Sequence, residues 1–282
     1  MIRIDAHHHV WRLERGDYHW LTPDLAIHRD YGLQDLRPLL GAVRPGAIDL
    51  PVTATVLVQA APTEAEAHFL LQVAHCSGGL VRGVVGWVDL AAADAPARIA
   101  ALASDPLLKG VRPMLHDIAD KQWILRPELQ PALAAIAARG LVFDALIRPG
   151  HLPVVLELAR RHPTLQIVID HGGKPDIAAG GWRPWAADIA RVAHETRATC
   201  KLSGLVTEAA TDWRVADLQP YVAHLLEVFG PLRLMWGSDW PVVDLAGGYA
   251  RWRDATLQLV RHLPDAGRNA VLGGTAATVY RL

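Results

Sequence analysis

Cysteine, methionine and phenylalanine are scarce in this sequence of 282 residues, which contains two, three and three of them. The cysteines, Cys76 and Cys200, lie in apolar stretches without CxxC spacing, so we predict neither a disulfide framework nor a thiolate metal cluster. No apolar run approaches the roughly 18 residues of a membrane-spanning helix. The first five residues lead into histidines rather than into the apolar core of a signal peptide, and we therefore expect a cytoplasmic protein.

An excess of charge of one sign is also missing. Lysine and arginine number 28 against 29 aspartates and glutamates, which gives a formal net charge of -1 at pH 7. This balance does not indicate a basic face for nucleic acid or for anionic lipid. We therefore expect a small molecule as the partner, with no nucleic acid and no membrane.

Short apolar runs rich in Val, Ile and Leu recur along the whole chain, each followed by a turn and a helix-like segment. Apolar strands that alternate with helices are typical of a parallel sheet, and eight of them predict a closed barrel. An open doubly wound sheet would normally have a Gly-rich phosphate loop after its first strand, where this chain has His-His-His at 7–9. We predict the α/β class and one (β/α)8 TIM-barrel domain over residues 1–282. The predicted strands are Ile2–His7, Ala54–Ala60, Val81–Val88, Leu108–Leu115, Leu141–Leu146, Leu165–Asp170, Ala198–Leu202 and Leu232–Trp236.

Helix signals occupy the intervals between these runs. Thr63 followed by Glu66 is a capping-box pattern, in which each side chain binds the backbone N–H of the other residue. Pro127 and Gly140 bracket another segment, as expected of proline in a first turn and glycine after a last one. The stretch 10–51 is long for a first crossover, so we expect it to carry a loop over the site. Further helices are predicted from Asp94 to Leu102 and at Leu152–Arg161, Trp185–His194, Leu218–Phe229 and Tyr249–Leu263.

Polar residues at the ends of three predicted strands are the candidate site residues, because the loops that leave the carboxyl ends of barrel strands converge on one mouth. In the His-His-His that ends the first strand, alternation turns His7 and His9 inward and His8 outward. The sixth strand ends with His171 and two glycines, and the eighth ends with Asp239. A buried carboxylate costs free energy unless it is paired, ligated or used, so a functional role for Asp239 is favoured.

Three motifs in this order resemble the sugar-lactonase branch of the amidohydrolase superfamily over nearly the full length of the chain. They are Asp-x-His-x-His at 5–9, Asp-His-Gly-Gly-Lys-Pro at 170–175 and Gly-Ser-Asp-Trp-Pro at 237–241. The resemblance implies hydrolysis of a sugar-acid lactone, with L-fuconolactone as the expected substrate. It also implies that Asp239 activates water and that His7, His9 and His171 are the first-strand pair and the inner histidine.

Further residues near predicted strand ends are candidates for binding the substrate. Arg112, at the end of the fourth strand, would help His171 and the first-strand histidines to polarise the carbonyl group. Aromatic faces suit the C–H faces of sugars, and polar side chains at the rim can bind hydroxyl groups. The remaining substrate-binding candidates are Trp20, Trp240, Lys174 and Glu208.

A binuclear metal site is not expected, because the fourth and fifth strands end in Arg-Pro-Met-Leu at 112–115 and Phe-Asp-Ala-Leu at 143–146, without the required lysine or histidine. Three imidazoles and one carboxylate could still satisfy a single Zn²⁺. A lactone is an activated ester, so we expect no required cofactor and keep one zinc ion as the alternative. Its ligands would be His7, His9, His171 and Asp239.

Two other functions stay open on the sequence. A zinc-dependent decarboxylase of aromatic or unsaturated acids would share the barrel, the first-strand pair and the late aspartate, and it would lose activity to a chelator. A non-catalytic barrel that only binds sugar acids is disfavoured by the polar strand-end motifs.

Overall fold

The computed structural model describes residues 2–41 and 51–282, and within them eight parallel strands form one sheet in the order of the chain. Each strand pairs with the next, from β1 with β2 to β7 with β8. The predicted (β/α)8 barrel is therefore confirmed. The strands are β1 Ile4–His8, β2 Ala54–Val58, β3 Val81–Gly86, β4 Leu108–Val111, β5 Val142–Ala145, β6 Gln166–Ile169, β7 Thr199–Leu202 and β8 Leu234–Trp236.

Most observed strands are shorter than the predicted runs, since the runs include turn residues at one or both ends. The fourth run was predicted to reach Leu115, but β4 ends at Val111, two residues before Pro113. Proline has no N–H to donate to a ladder and is disfavoured inside a sheet. Strand β1 begins two residues later than predicted, at Ile4, and continues one residue further, through His8.

The first and last strands approach through a short seam. The N–H of Asp239 donates to the carbonyl of His7, and the N–H of His9 donates to the carbonyl of Trp240, both at 2.7 Å. Oδ1 of Asp5 accepts from the N–H of His7 at 3.2 Å and from that of Ser238 at 2.8 Å. The carboxylate of Asp5 thus joins both sides of the seam.

Helices separate the strands, as the repeated pattern predicts. The first crossover carries a helix that was not predicted, α1 (Leu33–Leu40), and its part at 42–50 lies outside the described residues. Among the described residues, no helix has both the length and the apolar character needed to cross a membrane. The other helices are α2 Glu64–His75, α3 Ala95–Leu102, α4 Gln130–Ala138, α5 Leu152–Arg161, α6 Arg183–Glu195, α7 Val215–Phe229, α8 Gly248–Val260, α9 Asp265–Asn269 and α10 Thr275–Tyr280.

Only half of the predicted capping box forms at the start of α2. Oγ1 of Thr63 accepts from the N–H of Glu66 at 3.1 Å. The Glu66 carboxylate is instead turned toward the end of β2, where it accepts from the N–H groups of Ala60 and Ala61 at 2.8–3.0 Å. The side chain therefore ties the helix to the strand before it, beside the barrel mouth.

Two apolar clusters fill the molecule. The larger cluster lies between the strands and the surrounding helices. The smaller one takes alternate residues from six strands, among them Ile4 and Ala6, and is completed by Ala276 and Tyr280 of α10. These positions mark the barrel interior, and α10 lies at the end opposite the strand-end motifs.

Candidate active site

A β-bulge in β1 brings both predicted histidines into the barrel. Ile4 and Ala6 face the interior, so strict alternation would turn His7 outward. The register with β2 shifts between Asp5 and His8, and such a bulge reverses the alternation beyond it. His7 and His9 consequently point into the barrel, while His8 points outward to Oγ1 of Thr55 at 2.9 Å.

The structure brings His7, His9, His171 and Asp239 together. Nε2 of His7 lies 3.2 Å from Nε2 of His9. Oδ1 of Asp239 lies 3.3 Å from Nε2 of His9, 3.6 Å from Nε2 of His7 and 3.9 Å from Nε2 of His171. All four residues are nearly or fully buried, so the carboxylate meets three imidazoles away from bulk solvent.

Backbone strain is concentrated at these strand ends. Four non-glycine residues in the described part of the chain have a positive φ, and three of them are His171 (56°), Lys174 (51°) and Asp239 (60°). Such conformations cost on the order of 1–2 kcal/mol each and cluster at functional sites. The bond from the N–H of Asp239 to the carbonyl of His7 helps to hold the last of them.

His171 is fixed by its neighbours on β7 and the loop after it. Its Nδ1 lies 2.9 Å from Oγ of Ser203, which leaves Nε2 facing the carboxylate of Asp239. Burial lowers the pKa of His171 to about 4, despite the attraction of Asp239 and Asp170. The imidazole is therefore neutral near pH 7.

Asp239 stays ionised even though it is buried. Burial alone would raise its pKa, but the neighbouring imidazoles of His171, His9 and His7 outweigh this effect and hold the pKa well below its ordinary value. A carboxylate that is ionised at all physiological pH values can accept a proton from water.

A cavity of about 230 Å³ opens above Asp239. Of the predicted residues, His9, Trp20, Arg112, His171, Lys174 and Asp239 line it. His7 is fully buried and lies below this lining. Nε1 of Trp20 donates to the carbonyl of Ala60 at 2.7 Å, which fixes part of the long first crossover against the mouth.

Two of the predicted substrate-binding residues lie away from the cavity lining. The side chain of Trp240 is not at the cavity; it is 2% exposed and packs edge-on against Tyr31 with ring centroids 5.2 Å apart. Glu208 does not line the cavity either; it pairs with Lys174, which does.

A buried network that was not predicted from the sequence lies under the site. Nζ of Lys201 lies 2.5 Å from Oδ2 of Asp144, 3.0 Å from Oδ1 of Asp170 and 3.1 Å from Nδ1 of His7. The hydroxyl of Tyr280 donates to Asp144 at 2.8 Å. The sequence did contain a signal for this network, namely charged residues inside apolar strands. Such residues must be paired when the strands are buried.

Arg112 is held rigidly between β2 and β6. Its Nε donates to Oε1 of Gln59 at 2.8 Å, its Nη2 donates to the carbonyl of the same residue, and its Nη1 donates to Oδ2 of Asp170 at 3.1 Å. Sequence reasoning also missed His116, which lines the cavity. Burial, reinforced by the nearby cation of Lys174, lowers the pKa of His116 to about 3, so it offers a neutral imidazole.

The spacing of three side-chain atoms fits a zinc ion. Zinc bonds of about 2.1 Å at the centre of a tetrahedron place neighbouring ligand atoms about 3.4 Å apart. Nε2 of His7, Nε2 of His9 and Oδ1 of Asp239 are separated by 3.2, 3.3 and 3.6 Å. His171 stands next to this group, so the donor set suits zinc in both its chemistry and its spacing.

A parallel barrel that collects imidazoles and a carboxylate at the carboxyl ends of its strands has these groups where barrel enzymes carry their active sites. The family model described as amidohydrolase matches residues 4–282. The chain therefore belongs to the amidohydrolase family.

Individual relatives resemble the chain over its whole length. It is 47% identical to L-fucono-1,5-lactonase of Burkholderia ambifaria, over 99% of this chain and 96% of that protein. It is 36% identical to L-fucono-1,5-lactonase of Burkholderia multivorans, over 100% and 96%. A crystal structure of a Burkholderia multivorans amidohydrolase with bound zinc is 35% identical, covers both chains completely and has a TM-score of 0.92.

Proposed function

We propose that this chain hydrolyses a sugar-acid lactone, with L-fucono-1,5-lactone as the preferred substrate, and releases the open aldonic acid. The observation that carries the proposal is the buried, ionised Asp239, which faces three imidazoles at a small cavity. Ester hydrolysis by water needs a base and donors for an oxyanion, and these groups can supply both. The two relatives named L-fucono-1,5-lactonase support the choice of lactone.

In the first step, Asp239 accepts a proton from water while the water oxygen bonds to the lactone carbonyl carbon. The π electron pair moves to the carbonyl oxygen and gives a tetrahedral oxyanion. His171 is held by Ser203 and presents Nε2 to the site, where it would donate to this oxygen. Arg112 adds fixed positive charge at the cavity wall.

In the second step, the carbonyl double bond forms again and the bond from the carbonyl carbon to the ring oxygen breaks. The proton held by Asp239 passes to the ring oxygen and restores the carboxylate. The hydroxy acid then ionises near pH 7, so each turnover releases one proton.

Zinc would be held by His7, His9 and Asp239, with His171 beside them. When bound, such an ion polarises a carbonyl group as a Lewis acid. The chain's own residues orient the lactone and transfer the proton in either case.

The test is acid release, followed with a pH indicator, on a panel of L-fucono-, L-rhamnono- and L-galactonolactones. We expect the highest kcat/KM with L-fucono-1,5-lactone, and we expect Asp239→Asn to lower it at least about 100-fold, since the amide cannot accept the proton. Asp244→Asn is the matched control; this side chain is five residues further on and exposed, and activity should be unchanged.

Absence of turnover with every lactone, or full activity in Asp239→Asn, would refute the proposal. Release of carbon dioxide from an aromatic acid, lost on chelation, would support the decarboxylase instead.

A further inference from the structure

Lys201 determines which nitrogen of His7 accepts a hydrogen bond. Its ammonium group is fully buried and faces Asp144, Asp170 and Nδ1 of His7 at 2.5, 3.0 and 3.1 Å. An ammonium has three hydrogens to donate and no lone pair. Nδ1 of His7 is therefore the acceptor, and the single hydrogen of the neutral imidazole lies on Nε2.

Two of the three polar atoms around Nε2 of His7 are acceptors and favour a hydrogen at that atom; the third, Nη1 of Arg112 at 3.3 Å, is a donor that already donates to Asp170. Nδ1 of His9 lies 2.8 Å from the carbonyl of Val58, which can only accept, so Nε2 of a neutral His9 is a lone pair. This lone pair faces Oδ1 of Asp239 at 3.3 Å, and two acceptors in contact repel each other. Nε2 of His7 lies 3.2 Å from Nε2 of His9 and 3.6 Å from Oδ1 of Asp239. A hydrogen on Nε2 of His7 therefore points toward both acceptors.

The opposite arrangement has weaker contacts. With its hydrogen on Nδ1, His7 would donate to Oδ1 of Asp170 at 3.5 Å and accept from Nη1 of Arg112 at 3.3 Å. That Arg112 nitrogen already donates to Asp170 at 3.1 Å. The arrangement would also place an N–H against the Lys201 ammonium at 3.1 Å and leave His9 and Asp239 without a hydrogen between them.

We propose that Lys201 is a positioning residue that holds the hydrogen of His7 on Nε2, where it binds His9 and Asp239 together in the absence of a metal. Zinc would need the lone pair that this arrangement removes from Nε2. The same ammonium therefore weakens zinc binding at a site whose spacing suits the ion. The link to catalysis rests on the proposed lactonase function, whereas the hydrogen position and the zinc affinity do not.

The test compares the full-length wild type with Lys201→Met, which keeps the length of the side chain but has no hydrogen to donate. Long-range ¹H–¹⁵N spectra of histidine-labelled, metal-free protein report which ring nitrogen carries the hydrogen, and the His7 signals are those lost in His7→Gln. Zinc affinity is measured by competition with a chromophoric chelator. Because Lys201→Met removes a buried cation that faces the carboxylates of Asp144 and Asp170, Lys201→Met with Asp144→Asn is the second variant and restores the charge balance.

We expect the Nε2–H form in the wild type and the Nδ1–H form in the lysine variants. Zinc should bind the variants at least about tenfold more tightly, and kcat should fall about tenfold or more with KM nearly unchanged, the usual range for residues that orient a ligand. Tyr280→Phe is the control, because it removes a bond to Asp144 but leaves the contact with His7. Its histidine spectrum and zinc affinity should match the wild type.

An Nδ1–H form of His7 or a doubly protonated His9 in the wild type would overturn the inference, as would unchanged zinc affinity in both lysine variants. Failure of lactone turnover with the expected spectra and affinities would count against the proposed function alone.

Discussion

Gly204 leaves the space that the imidazole of His171 occupies. A Cβ atom at this position would lie 2.5 Å from Nδ1 of His171, the nitrogen that contacts Ser203. The residue also has a φ of 59°, which an L side chain rarely adopts. The orientation of His171 therefore depends on the absence of a side chain at position 204, in the loop that follows β7.

Gly204→Ala should displace His171 and lower kcat/KM by about 10- to 100-fold, since small misplacements of this kind are costly. Gly78→Ala is the matched control; its φ is 66°, but no atom lies within 4 Å of the added Cβ. Both variants should lose about 1 kcal/mol of stability through backbone strain, and only the first should lose activity. Equal activity in the two variants would contradict this role of the glycine.

Glu66 gives stability a pH dependence of known sign. Burial raises its pKa from 4.5 to about 7, although the N–H groups of Ala61 and Ala60 oppose the shift. Between these values the folded state binds more protons than the unfolded state, so this group's contribution to the free energy of unfolding falls as pH rises. Below pH 4.5 the contribution is complete, and above about pH 7 it is lost.

The difference in unfolding free energy between wild type and Glu66→Gln should therefore decrease by about 2–3 kcal/mol from pH 4.5 to pH 7.5. Urea unfolding of both proteins across this pH range measures the difference in unfolding free energy. The contributions of the other titrating groups are the same in both proteins and cancel. A constant difference would show that the pKa of Glu66 is not raised.

At the scale of elements, the loops after β6 and β7 act together. Lys174 of the first pairs with Glu208 of the second, and the N–H of Ala178 donates to the carbonyl of Glu208 at 2.9 Å. Only Lys174 of the pair lines the cavity. In the proposed function, Glu208 would therefore act on the substrate through the lysine that it orients.

Lys174→Met, Glu208→Gln and the double variant should raise KM by a similar factor of about 3–10, with little change in kcat, because the two residues work as a unit. Steady-state kinetics with the preferred lactone measures this. Glu64→Gln, which breaks the surface pair of Glu64 with Arg98 at 3.2 Å, is the control and should leave KM unchanged. Additive effects of the two site variants would refute the coupling.

At the scale of the whole molecule, Asp5 contributes to closing the barrel. The N–H groups of His7 and Ser238, which donate to its carboxylate, belong to fully buried residues. Asp5→Ala should lower the free energy of unfolding by about 2–5 kcal/mol, because each orphaned buried donor costs about 1–3 kcal/mol. Asp89→Ala removes the same kind of bond, to Ala91 at 3.0 Å, at the surface and should cost less than about 1 kcal/mol. Denaturant unfolding followed by circular dichroism distinguishes the two, and equal losses would contradict the role of the seam.

The barrel was predictable from the sequence because its evidence is local, namely a repeated strand and helix with polar residues at strand ends. His9, His171 and Asp239 follow from the same rule, since every strand end leads to one mouth. The Lys201 network was not predicted, because its contacts join β5, β6, β7 and β1 across the interior. The sequence also contained no signal that Trp240 packs against Tyr31, because proximity in sequence to Asp239 says nothing about which way the next side chain points.

The seam between the first and last strands has a consequence for biosynthesis. His9 and Asp239 touch across 230 positions of sequence. A growing polypeptide acquires its two imidazoles with the first strand, yet it has no acid to place beside them until the eighth strand has left the ribosome. The proposed water activation therefore requires a finished barrel.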